Sequence, residues 1–220
     1  MLLFDKLLAL PLFQGMSHND LDTIVSSTKF EFRKSDANTV VFHEGDAYTD
    51  LCFVILGTLR TTTTADDHSY RVTEYIKAPL LLQPDRLFGL RQRFTHTYTA
   101  MDEVHLMLLD KAEVMMMLEQ YIIFRLNFLN QLSTGYQNIS KQAWRRTPDD
   151  LRGRIIRFFE QHSSRPAGEK RFDIMMNTLA KELNVSRLDV SKALHSLQDE
   201  KLIEMGRQTI HIPALEKLLM

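Results

Sequence analysis

The chain has almost no cysteine: Cys52 stands alone among 220 residues. One thiol excludes an internal disulfide, a four-cysteine zinc site and a four-cysteine iron–sulfur cluster within a single chain. Long apolar runs are missing too. No stretch of about 18 uncharged apolar residues occurs, so no membrane span and no membrane partner are expected. The opening Met1-Leu2-Leu3-Phe4-Asp5-Lys6 lacks a basic stretch and a small-residue cleavage site, and the expectation is a cytoplasmic protein. Catalytic signatures are absent as well: there is no Gly-rich phosphate loop, Gly-x-Ser-x-Gly elbow or His-Glu-x-x-His string. Asp66-Asp67-His68 reads as a polar turn between strands, so an enzyme is not expected.

What is present suits two modules. Hydrophobic residues make up 44% of a 220-residue chain, enough to fill two cores. The formal charge of -1 conceals an asymmetry: residues 1–140 hold 12 Lys/Arg and 17 Asp/Glu, whereas residues 141–220 hold 15 and 11. An acidic front and a basic back point to a polyanion facing the back.

Hydrophobic periodicity divides the chain further. Ser17-His18-Asn19-Asp20 reads as a capping box opening a helix through Leu21, Ile24 and Val25. From Lys29 to Leu109 the pattern is one of short strands. Phe30 and Phe32 alternate with charged neighbours, and Val40-Val41-Phe42 runs into the turn Glu44-Gly45-Asp46. Leu51–Leu56, Leu59–Thr64, Tyr70–Ile76 and Val104–Leu109 complete a set that argues for a compact antiparallel sandwich or barrel. Helical spacing takes over after Lys111. Between Ile122 and about Arg145, the residues Ile122, Leu129, Leu132, Tyr136, Ile139 and Ala143 follow alternating steps of three and four, interrupted by Arg125. Such a seam suits a facing helix in a second copy, with Phe124 and Phe128 left to pack on the chain's own core. Thr147-Pro148-Asp149-Asp150 reads as the cap and first turn of the next helix, whose buried face is Leu151, Ile155, Phe158 and Phe159.

The segment from Met176 to Ile212 carries the most specific pattern. Leu179, Ala180 and Leu183 form one face of a short helix, and Asn184 suits a left-handed turn. Ser186 caps a second helix whose inner face is Val190, Ala193, Leu194 and Leu197. That leaves Arg187, Leu188, Asp189, Ser191, Lys192 and His195 outward. Leu202-Ile203-Glu204-Met205, Gly206-Arg207 and Gln208 to Ile212 read as a hairpin wing. Helix, tight turn, polar-faced helix and wing is an arrangement that reads double-stranded DNA, because the second helix fits the major groove. Arg187 is suited to guanine O6 and N7, Lys192 to a guanine or a phosphate, and Arg207 reaches outward from the wing. The Ser186 hydroxyl and the helix N-terminus are expected to hold a phosphate oxygen.

At these residues the chain resembles the Crp/Fnr family of bacterial regulators, from about Phe13 to Leu215. The resemblance is carried by Phe42-His43-Glu44-Gly45-Asp46, Phe53-Val54-Ile55-Leu56-Gly57-Thr58-Leu59-Arg60 and Leu87-Phe88-Gly89. Leu179 through Arg187, Val190-Ser191-Lys192-Ala193-Leu194 and Leu202-Ile203 continue it in order. It implies an α+β fold. An N-terminal antiparallel β-roll (double-stranded β-helix) with flanking helices would form a cyclic-nucleotide-binding-type sensor over 1–118. A dimerisation helix over 119–146 and a winged helix-turn-helix over 147–220 would follow. It also implies a homodimer on a pseudopalindromic site, a small-molecule or anionic effector in the β-roll, and RNA polymerase as a further partner.

Departures from the family pattern qualify this. Leu188 stands where many members carry a glutamate, and Met176 where some use an arginine to grip phosphate. The resemblance puts the effector pocket around Gly89, Leu90, Arg91 and Arg93, with Thr97, Tyr98, Thr99 and, from the long helix, Ile139 and Ser140. Members that bind cyclic AMP carry a glutamate after Phe-Gly and a later Arg-Ser pair; here Leu90 and Thr97-Tyr98-Thr99-Ala100 occupy those stretches. A buried cyclic phosphate without its arginine loses a charge-assisted contact, so cyclic AMP in the usual mode is not expected. Arg91 and Arg93 are left to meet a different anion. Haem sensing, through Cys52, His43, His96 or His105, and effector-independent DNA binding are the alternatives.

Overall fold

The computed structural model describes residues 3–220, so Met1 and Leu2 of the opening hexapeptide lie outside the described residues. The chain runs through α1 (Leu3–Leu8), α2 (His18–Ser27), β1 (Phe30–Ser35), β2 (Val40–Phe42), β3 (Asp50–Leu56), β4 (Thr58–Thr64) and β5 (Tyr70–Lys77). There follow β6 (Leu80–Leu82), β7 (Thr97–Ala100), β8 (Val104–Asp110), α3 (Lys111–Gln120) and α4 (Ile122–Ala143). The remainder is α5 (Leu151–Gln161), β9 (Lys170–Ile174), α6 (Met176–Glu182), α7 (Arg187–Asp199), β10 (Glu204–Gly206), β11 (Thr209–Ile212) and α8 (Leu215–Leu218). These elements fall into two compact units, residues up to Leu59 with Ile76–Ala143, and Arg60–Tyr75 with Trp144–Met220. Among the described residues no helix is long and apolar enough to cross a membrane.

The first unit is a roll of short antiparallel strands with helices before and after it, the α+β arrangement read from the sequence. One sheet has the order β1-β8-β3-β6. Phe30 pairs with Leu109, Leu51 also pairs with Leu109, and Cys52 pairs with Leu82. β2 pairs antiparallel with β7, Val40 facing Thr99. Because β3 and β8 are central, their side chains are buried almost without alternation. The edge strand β1 differs: Phe30 packs against the core, but Phe32 is more than half exposed, so its alternation does not mark a buried face. β6 and β7 were not evident as strands from periodicity, because Leu80–Leu82 follows Pro79 directly and Thr97–Ala100 is only four residues long.

Ser17 caps α2 as expected, its Oγ accepting the Asp20 backbone N–H at 3.1 Å. Asp110 does the same for α3, accepting from the Glu113 N–H at 2.8 Å. Tyr121, in an extended conformation, separates α3 from α4. α4 is seated by Phe124 and Phe128, both buried, with the Phe124 ring 5.4 Å from Phe13. The Asn127 amide donates to the carbonyls of Leu12 and Gln14 at 3.1 and 2.8 Å, fixing the helix on the preceding turn.

The second unit is built on the sheet order β10-β11-β9-β5, with α5, α6 and α7 packed around Phe159, Phe172, Leu179, Val190, Leu194 and Ile210. Its helix α5 begins later than the sequence suggests. Asp150 is its N-cap and makes no side-chain cap bond, so Thr147, Pro148 and Asp149 lie ahead of the helix. The Asp149 carboxylate is held instead by the Arg146 guanidinium at 2.8 and 3.0 Å, an ion pair in place of a cap. The predicted inner face, Ile155, Phe158 and Phe159, is buried.

Candidate nucleic-acid interface

α6 and α7 are joined by a turn that their sequence dictates. Asn184 takes the left-handed conformation, φ 50°, which asparagine tolerates better than most residues. Val185 N–H then donates to the Ala180 carbonyl at 3.0 Å, closing the end of α6. The Leu183 carbonyl accepts from the Arg154 guanidinium of α5, so the turn is tied to the unit's first helix. At the far end of α7, Glu200 is clamped by Arg152 through both carboxylate oxygens. The guanidinium holds that carboxyl below the usual glutamate range. Val190, Leu194 and Leu197 are buried, which aims the opposite face of α7 at solvent.

On that face Arg187, Leu188, Asp189, Lys192 and His195 are exposed and Ser191 is half-buried. Arg187 and Lys192 have no ion-pair partner among the described residues. Ser186 and Asp189 form a closed pair. The Asp189 N–H donates to Ser186 Oγ at 3.2 Å, and the hydroxyl donates to Asp189 Oδ2 at 2.6 Å. The hydroxyl proton is therefore committed to a carboxylate, not left for a phosphate, because the residue that completes the capping box is acidic. His195 Nδ1 lies 2.7 Å from the Ser191 carbonyl, which requires that nitrogen to donate and leaves Nε2 free.

The wing follows as read: Met205 pairs with Ile210 and Gly206 with Thr209. Gln208 turns the corner at φ 61°, its carbonyl accepting the Ile174 N–H at 2.9 Å. Arg207 stands exposed at the tip. Between wing and α7 lies a cleft of about 300 Å³ lined by Arg187, Met175, Asn177, Gln208 and Thr209. Met175 caps α6 without a side-chain bond, so the α6 N-terminus offers backbone N–H groups.

In the first unit the nine residues expected around an effector differ in burial and in the bonds they make. Leu90 is fully exposed, whereas Tyr98 and Thr99 are buried in the roll. Arg91 and Arg93 are exposed, and Arg93 Nη1 donates to the Gly45 carbonyl at 2.7 Å, bracing the turn that precedes β3. The carbonyl of Gly89 is held by the Gln92 amide at 2.8 Å, and the Thr97 hydroxyl accepts the Glu44 N–H at 3.1 Å. Ile139 and Ser140 lie exposed on α4. Phe94 stacks on Phe42 at 4.3 Å and lies 4.8 Å from Tyr48 and 6.0 Å from Tyr98. A cleft of about 250 Å³ in this unit is lined by other residues, among them Arg33, Asp46, Asp50, Cys52 and Phe94.

The seam on α4 is displayed. Ile122 and Leu129 are about half exposed, Tyr136 is 73% and Ile139 71% exposed, and Leu132 is partly covered by the core. The Ala143 side chain lies outside what is described. Leu126, 47% exposed, joins the same face and was missed in the sequence, where Arg125 interrupts the spacing.

Two family models match the chain. A cyclic nucleotide-binding domain covers residues 32–121, and a Crp-like helix-turn-helix domain covers residues 153–220. The chain belongs to the Crp/Fnr family. Among solved structures, this Crp/Fnr protein is similar to the Catabolite Activator Protein of Thermus thermophilus, at 20% identity and TM-score 0.53, covering 95% of this chain and 96% of that one. It is also similar to CLP, the c-di-GMP-responsive global regulator of Xanthomonas campestris, at 18% identity and TM-score 0.52, covering 90% and 99%. At these identities the likeness establishes the fold. No curated protein matches the sequence.

Within this Crp/Fnr fold Cys52 and His105 stand at different points of the β3–β8 ladder. Cys52 pairs with Leu108 in the β3–β8 ladder whereas His105 pairs with Leu56, and His105 Nε2 is bound to Glu103 at 2.7 Å. Burial pushes the Cys52 thiol far above its usual range, which disfavours the thiolate that binds metal. His43 is exposed near the Glu44-Gly45 turn, and His96 packs edge-on to Tyr98.

Proposed function

We propose that this transcription regulator acts as a homodimer that inserts α7 of each subunit into successive major grooves of a pseudopalindromic operator. One observation carries the reading: α7 presents two cations, Arg187 and Lys192, unpaired among the described residues, on an exposed face beside an exposed wing. In a groove, Arg187 chelates guanine O6 and N7, and Leu188 offers an apolar contact for a thymine methyl. His195, with Nδ1 donating to Ser191, presents Nε2 as an acceptor for an adenine or cytosine amino group. Asp189 stays with Ser186 and so contributes position instead of base reading.

The α4 seam supports the dimer. Ile122, Leu126, Leu129 and Tyr136 leave an apolar stripe that a facing copy would cover, bringing two α7 helices to half-sites about 34 Å apart. Arg187→Ala should weaken operator binding by about 1–3 kcal/mol and relax preference at one base position. Unchanged affinity and base preference would refute the assignment. Tyr136→Glu places two charges in the seam and should shift the sedimentation profile toward monomer.

A second reading concerns control. The aromatic filling by Phe42, Tyr48, Phe94 and Tyr98, with Arg93 held on Gly45, favours DNA binding that needs no cyclic nucleotide in the roll. Titrating cyclic AMP during an operator-binding assay decides: unchanged binding supports this reading, and a tightening of tenfold or more rejects it.

A further inference from the structure

The second unit contains a strand from outside its long stretch Trp144–Met220. Residues Arg60–Tyr75, the hairpin of β4 and β5, belong to it. β5 pairs with β9 over five positions, from Tyr70 opposite Ile174 to Glu74 opposite Lys170. On the inner face Val72 joins the core, and the Tyr70 ring lies 5.6 Å from Phe158. Lys170 Nζ sits 2.9 Å from Glu74 Oε1, with side chains only 2% and 3% exposed. The hairpin is thus fixed against the wing sheet by burial and by charge.

Its outer face lies beside the groove that holds Arg187. The register β11-β9-β5 sets Thr209, Asp173 and Arg71 in one row. Beside that row is a cleft of about 540 Å³ lined by His68, Ser69, Arg71, Arg207 and Gln208. It shares Ile174, Met175, Gln208 and Thr209 with the smaller cleft at Arg187, so the two adjoin. Arg71 and Arg207 are exposed and unpaired among the described residues. Three carboxylates accompany them. Asp173 is bound by Arg171 at 2.8 Å, and Asp67 caps its own turn by accepting from the Ser69 N–H at 2.9 Å. Asp66 is exposed at the tip, with no ion-pair partner among the described residues.

We propose that this hairpin is a third DNA-contacting element, with Arg71 and Arg207 holding backbone phosphates that flank the half-site read by α7. The inference rests on the reading that α7 binds DNA. A duplex lying along α7 continues past the wing, and the adjoining clefts place these two guanidinium groups along that continuation. Phosphate contacts position without reading sequence.

The test uses the full chain and an operator duplex selected with it, made in a long form and in a form trimmed just outside the half-sites. Affinity is measured against salt concentration. Arg71→Ala should lower the log–log salt slope on the long duplex by about one for each half-site. Its base preferences should stay the same, and it should behave like the unaltered chain on the trimmed duplex. Arg71→Lys keeps the charge and should keep the slope, whereas Asp66→Asn should tighten binding to the long duplex. If Arg71→Ala leaves slope and affinity unchanged while Arg187→Ala alters base preference, the hairpin contact is wrong and the α7 reading stands. If no duplex can be selected by the full chain, both readings fall.

Discussion

The two interiors of this protein are held by different physics. In the first unit the centre is aromatic and aliphatic, with Phe13, Phe53, Phe94 and Phe124 buried and no ionised group among its buried residues as described. Burial pushes the Tyr48 hydroxyl and the Cys52 thiol upward, so each stays neutral. The second unit buries a full ion pair, Glu74 with Lys170. Burial alone would raise the Glu74 carboxyl. The Lys170 ammonium and the Ser164 backbone and hydroxyl outweigh it and hold the group below its usual range. One unit keeps itself neutral; the other spends its charge on joining a hairpin to a sheet.

That contrast is open to attack by substitution. Glu74→Ala strands the Lys170 ammonium in an apolar interior and should destabilise the second unit by about 3–5 kcal/mol, read by chemical denaturation with a near-ultraviolet probe. Replacing both partners, Glu74→Leu with Lys170→Met, should recover most of that loss, since an apolar pair of similar volume needs no neutralisation. An equal loss in single and double variants would mean that packing, not charge, matters here. Acid provides a second route. Because the Glu74 carboxyl is lowered in the folded chain, its stabilisation is complete above the ordinary carboxylate range and disappears as pH falls through the lowered value. The double variant should therefore lose less stability between neutral pH and acid than the unaltered chain.

In the first unit Tyr48→Phe removes a donor that bonds the Leu82 carbonyl at 2.5 Å and should cost about 1–3 kcal/mol. At the interface, Ser186→Ala removes the cap of α7 and should cost about 1 kcal/mol, visible as a lower thermal midpoint. The smallest expected effect is none. Cys52 is fully buried with a raised pKa, so iodoacetamide should leave it unmodified in the native chain and label it in denaturant. Rapid native labelling would show that the first interior opens readily.

How much of this was legible beforehand follows the range of the interactions. The Ser17 and Ser186 caps, the Asn184 turn and the buried stripe of α7 depend on residues three or four apart, and the sequence displays them. The α7 face, with Arg187, Lys192 and His195, was readable for the same reason. The pocket was not. Whether Arg93 points at a ligand or at Gly45, 48 residues away, depends on a turn packed from elsewhere. Leu126 was hidden by the choice of register around Arg125, since burial alone distinguishes the two spacings. Thr147 looked like a cap until Asp149 found Arg146. Least visible was the hairpin, because pairing Glu74 with Lys170 requires a ladder between segments nearly a hundred residues apart.

The β5–β9 ladder also decides how the molecule can be dissected. A fragment starting at Trp144 would carry α7 and the wing intact, yet it would leave β9 with a bare edge and Lys170 without its counter-ion. Such an edge invites pairing with another chain, so the excised piece should tend to self-associate. A synthetic peptide spanning Thr58–Lys77, supplied in trans, offers the missing strand.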